Sequence, residues 1–103
     1  MQNEDIELNV IKRITNPEHM HFAVQTNYRN RVYVVSFKKY PETKTMSWGH
    51  SYDYASAVFL GNDAGDIEPS SPFVSSYEND PTEEMAVRYV KILLMEFIES
   101  DNE

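Results

Sequence analysis

Arg31–Tyr40 reads RVYVVSFKKY. Its density of β-branched and aromatic residues marks a strand. Its middle is apolar at successive positions, as expected of a central strand with something packed on each face. The run before it, His21–Tyr28, alternates instead: Phe22, Val24, Thr26 and Tyr28 fall on one side, Ala23, Gln25 and Asn27 on the other. Arg29-Asn30 lies between the two runs, and Asn tolerates the positive φ of a tight turn. The two runs therefore predict a β-hairpin.

Working outward, Asp5–Ile14 places Ile6, Leu8 and Val10 on alternating positions, a half-buried strand that Asn16-Pro17 ends. On the other side, Pro41–Lys44 reads as a turn and Thr45–His50 as a returning fourth strand, with Met46, Trp48 and His50 on one face. Asp53–Leu60, DYASAVFL, suits either element. Its alternation fits a strand, but Asp53 as cap, two Ala and Gly61 as a stop favour a short helix. Residues 61–79 read as a long loop with two Gly, two Pro and four Ser, partly pinned by Ile67, Phe73, Val74 and Tyr77. Asp80-Pro-Thr-Glu83 then has the spacing of a capping box with Pro at the first helical position. Helix 81–99 follows, with Ala86, Val90, Leu93, Leu94 and Phe97 as its apolar stripe, widened by Val87 and Ile98. The sequence thus predicts an α+β fold: an antiparallel sheet of three to four strands covered by a C-terminal amphipathic helix, in one domain over 1–103.

A chain of 103 residues holds one core, and seven Tyr, five Phe and one Trp can fill it. No cysteine is present, which removes disulfides, thiolate catalysis and Cys-based zinc sites. No apolar run approaches the length of a membrane span, and MQNEDIEL lacks the features of a signal peptide, so a cytoplasmic protein is expected. The net charge is −8, unevenly placed. Residues 1–40 carry six basic side chains against four acids, whereas residues 41–103 carry three against thirteen. So acidic a chain repels phosphate at long range, which disfavours direct nucleic-acid binding.

Three groups of residues invite chemistry. His19 and His21 share a face of an extended segment and, joined by His50, would make a three-His metal site. Asp63, Asp66 and Glu68 surround Gly65 but miss the ligand spacing of an EF-hand loop. Ser47-Trp-Gly-His-Ser-Tyr-Asp-Tyr54 supplies Ser47 or Ser51, His50 and Asp53 for a nucleophilic triad, yet near neighbours on one strand point apart and no Gly-rich elbow precedes them. Arg29, Arg31, Lys38, Lys39 and Lys44, interleaved with tyrosines, have the ingredients of a single-strand-binding sheet, but the hairpin separates the Arg pair from the Lys pair. No catalytic residue, cofactor or metal is assigned from the sequence. The expected function is that of a small acidic non-enzymatic protein docking on a basic surface of another macromolecule, as an inhibitor or nucleic-acid mimic. Its contacts are expected from Asp63, Asp66, Glu68, Trp48, Tyr52 and Tyr54. The alternatives are a small-ligand or metal-binding domain centred on His50 and Trp48, and a homodimeric structural module.

Overall fold

The alternating runs become strands of a meander. The computed structural model describes residues 6–69 and 71–101. The elements are β1 (Leu8–Thr15), β2 (His19–Thr26), β3 (Val32–Thr45), β4 (Ser51–Gly61), β5 (Val74–Glu78) and α1 (Glu83–Asp101). The sheet order is β1-β2-β3-β4-β5, each strand antiparallel to the one before. The fold is α+β, with β3 at its centre, and the sheet has five strands rather than three to four. A single 3-10 turn, Tyr28–Asn30, joins β2 to β3, with Arg29 and Asn30 at φ +56° and +50°.

Both added strands lie where the sequence pointed elsewhere. DYASAVFL is not a helix: it pairs along β3 from Lys38↔Ala55 to Val32↔Gly61. Seven ladder positions, from Tyr54 to Leu60, outweigh the modest helical preference of two alanines. Gly61 is no helix stop. A Cβ there would lie 2.3 Å from Val34 Cγ2 and 2.5 Å from the Asp66 carbonyl, so the glycine admits a close approach of chain to chain. Within the expected 61–79 loop, Val74–Glu78 forms β5 against β4, from Val58↔Val74 to Tyr54↔Glu78. The segment 45–50 differs too. β3 continues through Pro41 to Thr45 with an irregular register between Lys39 and Lys44, where a residue without an N–H is tolerated. Residues 46–50 form the turn, closed by Met46 N–H to His50 O at 2.8 Å and by Gly49 at φ +90°.

One sheet face carries the core. Phe22 and Val24 of β2, Tyr33, Val35 and Phe37 of β3, and Val58 of β4 pack with Ala86, Val90, Leu93, Leu94 and Ile98 of α1. This is the stripe expected for the helix, with Phe97 and Val87 half-buried at its margins. In β1 the register shifts between Val10 and Lys12, which puts Arg13 opposite Phe22 on the helix side. Arg13 then donates to the Glu83 carboxylate at 2.6 and 2.7 Å, holding that carboxyl below its usual range. Both side chains are about half exposed, so the pair orients more than it stabilises. It also moves the cap. Thr82, not Asp80, closes the helix start: its Oγ1 accepts from Met85 N–H at 3.3 Å and its carbonyl from Ala86 N–H at 3.0 Å. Glu83 is committed to β1, and the Asp80 N–H donates to Glu78, so the expected capping box does not form.

Candidate functional site

The second face of the sheet is covered at one end and open at the other. At the covered end, the loop after β4 folds back. Glu68 N–H donates to Leu60 O at 2.9 Å, and the Asn62 side chain accepts from the Ala64 and Asp66 N–H groups at 3.0 and 3.1 Å. Gly65, at φ +86°, lies against Ile14 and Lys12, where a Cβ would come within 3.0 Å of Ile14 Cδ1. Ala23 and Val34, fully buried on this face, show that the lid excludes water. The apolar middle of RVYVVSFKKY is accounted for by this second cover.

Beyond the lid the face is open, and its floor is small: Ser36 of β3, Ala55 and Ala57 of β4, Ser75 of β5. Two adjoining grooves of about 690 and 440 Å³ run across it, sharing Lys38, Tyr40 and Ala55. The cross-strand pair His19↔Lys38 flanks the larger one. His19 and His21 have ring centroids 5.2 Å apart on β2. Partial burial, and secondarily the neighbouring His19, lower the pKa of His21, while a hydrogen bond from its ring to the Gly65 backbone carbonyl opposes them.

β3 and β4 also outrun their neighbours. β2 pairs with β3 only as far as Lys38, and β5 with β4 only from Tyr54, so the hairpin continues as a two-stranded arm. Hydrogen bonds brace it. Asp53 N–H donates to Asn79 Oδ1 and Asn79 Nδ2 to Ser51 O, each at 2.8 Å, so one side chain substitutes for a pairing strand. Thr43 Oγ1 donates to Asp53 at 2.6 Å, and the Thr45 and Ser51 hydroxyls lie 3.0 Å apart. At its root Tyr52 stacks on Tyr77 (5.6 Å, 27°), Tyr40 lies 6.4 Å from Tyr77, and Lys44 Nζ sits 5.6 and 5.7 Å from the Tyr40 and Tyr77 rings. Such cation–aromatic contacts are worth about 0.5–1 kcal/mol at exposed sites. At the tip Trp48 is 61% exposed.

The sequence-expected contact residues do not form one patch. Trp48 and Tyr52 are on the arm, but Tyr54 packs against the helix-side core. Asp63, Asp66 and Glu68 lie past the other end of β4, whose eleven residues span about 33 Å at the usual strand rise. Asp66 also helps shape the lid through Asn62 Nδ2 at 3.4 Å. The imidazoles do not converge: His50 is on the arm, and among the described residues no three His, Cys, Asp or Glu could hold a metal ion. The side-chain bonds of Ser51 and Asp53 run to Thr45 and Thr43 across the arm. Of the groove residues, Lys38 and Tyr40 enter the sequence reading only among the ingredients of a single-strand-binding sheet, and Tyr77 only as a pin of the expected loop. VSSYE has two adjacent serines and no apolar alternation, so nothing in the sequence marks Tyr77 as a groove residue. Comparison of the chain with protein-family models, curated proteins and solved structures finds no match. Among the described residues no helix is long and apolar enough to cross a membrane.

Proposed function

We propose that this chain is a small acidic, non-enzymatic, cytoplasmic binding protein that docks on a basic surface of a protein partner, anchored by its β-arm. The observation that carries this reading is Trp48, 61% exposed at the tip of an arm that is braced on both strands. An exposed indole contributes little to the core. On a preorganised support it has the properties of an interface anchor, since aromatic hot spots bind best when little freedom is lost on docking. The charge of −8 supplies the attraction, which acts at long range and falls with salt. Asp63, Asp66 and Glu68 stand far from the anchor, so their part is to speed approach rather than to fill the final contact.

The test is retention of partners on the immobilised protein at low and high salt, with three forms of the bait. A partner held by the wild type should be lost with Trp48→Ala. It should associate more slowly, with a flatter salt dependence, when Asp63, Asp66 and Glu68 become Asn, Asn and Gln. Partners retained equally by Trp48→Ala would remove the arm from the interface, and salt-independent retention would remove the electrostatic part.

A further inference from the structure

The two adjoining grooves on the open sheet face are unlike the rest of this acidic molecule. We infer that they form one trough that binds a small organic anion with a flat apolar body, such as an aryl carboxylate.

The shape comes from side-chain choice. Central strand positions ordinarily carry β-branched or aromatic residues, but here Ser36, Ala55, Ala57 and Ser75 leave the sheet surface low. The Tyr40 and Tyr77 side chains border this floor, and Lys38 lines both grooves. Volumes of about 690 and 440 Å³ lie in the range of small-molecule sites. A planar body of ring width fits a floor of small side chains between tyrosines, whose faces favour offset or edge contacts with it.

The charge selects the sign. The chain has 17 acidic side chains, yet among the described residues Lys38 forms no ion pair. The smaller groove is lined by no acid at all, and the larger one by Glu18 alone. A lysine ammonium is a compact point charge on a flexible stem, suited to meeting a carboxylate whose ring lies on the floor beside it. Ser36 and Ser75 add hydroxyl donors. A cation would meet Lys38 with no carboxylate beyond Glu18 to offset it, and a neutral ligand would forgo the ion pair.

This site shares Tyr40 and Tyr77 with the root of the arm but does not reach Trp48 at its tip, so the tests separate trough from tip. The ¹⁵N-labelled protein is titrated with three probes of one shape: 2-naphthoate, 2-naphthylmethanol and 2-naphthylmethylammonium. The expected result is saturable movement of the Lys38, Tyr40, Ala55, Ala57 and Ser75 amide signals with 2-naphthoate, weaker with the alcohol and weakest with the ammonium. Lys38→Gln should weaken 2-naphthoate by about two- to fivefold, as loss of one exposed charge contact does. Ala57→Leu, which raises the floor and keeps Lys38, should abolish it. Lys91→Gln on α1 and Trp48→Ala should leave it unchanged. Equal binding of the three probes, shifts confined to other residues, or undiminished binding by Lys38→Gln would each overturn the assignment.

Discussion

Tyr33→Phe should make the protein more stable. Tyr33 is fully buried on the helix side of β3, between Val24 and Leu60 in register, with its ring edge toward Phe73 at 5.9 Å and 72°. Among the described residues its hydroxyl has no hydrogen-bond partner. Burying a hydroxyl without one costs about 1–3 kcal/mol on protein mutational scales. Removing the oxygen leaves a gap smaller than a methyl group, which costs less than about 1 kcal/mol. The difference is a gain of about 1 kcal/mol, equivalent to a rise in Tm of about 4–8 °C for a domain of this size. Urea denaturation followed by circular dichroism reads it as a higher midpoint at an unchanged slope. The same atom removed from Tyr89 should have the opposite sign, because that hydroxyl donates to the Glu78 carboxylate. Tyr89→Phe should therefore lose about 1.5–3 kcal/mol, the range for a hydrogen bond to a charged group. A Tyr33→Phe protein less stable than the wild type would show that the hydroxyl is satisfied in solution, and would refute the account of this part of the core.

The remaining predictions concern the cap, the lid, the helix and the histidine pair. Thr82→Ala should lower stability by about 0.5–2 kcal/mol through loss of the helix cap, while Asp80→Ala should do less; the reverse ranking in urea melts would return the cap to Asp80. Gly65→Ala should cost about 1–2 kcal/mol for a side chain at positive φ and speed hydrogen exchange at Ala23 and Val34 as the lid loosens; unchanged exchange there would uncouple lid from sheet. Leu94→Ala should cost about 2–5 kcal/mol, and a Tm equal to the wild type would remove Leu94 from the core. His21 is held below its usual pKa by burial, so the folded state binds fewer protons than the unfolded one. Its contribution is fully present above about pH 6.5 and is lost as pH falls through the depressed folded pKa. His21→Gln should flatten stability against pH in that window, and a slope identical to that of the wild type would show that His21 does not couple to folding.

The elements legible in the sequence are those whose own residues settle them. The β2–β3 hairpin and the apolar stripe of α1 follow from periodicity, and both form. DYASAVFL reads as a helix because its end signals are local, whereas its strand state depends on pairing with β3 residues from Lys39 to Tyr33, far away along the chain. β5 was hidden because only Val74 of its five residues is apolar on the core side, Tyr77 serving the other face. The helix cap went to Thr82 because Arg13, seventy residues upstream, claims Glu83. The candidate site was legible in part. Trp48 and Tyr52 stand out by residue type, but a trough is defined by what is small, and Ala55, Ala57, Ser36 and Ser75 give no signal until β3, β4 and β5 lie side by side.

The place of α1 in the chain bears on how the protein is made. Every strand joins its predecessor, so the sheet can assemble as synthesis proceeds, hairpin by hairpin, from contacts close in sequence. Its cover follows the sheet: the nineteen residues of α1 come after all five strands. At about 5–20 residues per second, the ribosome displays Phe22, Val24, Val35, Phe37 and Val58 on a growing sheet for seconds before the helix that buries them emerges. A nascent chain stalled before residue 83 would thus present an apolar surface to chaperones and to its own copies. A chain that has emerged past α1 escapes that fate once the helix docks, which makes that docking the step that separates folding from aggregation.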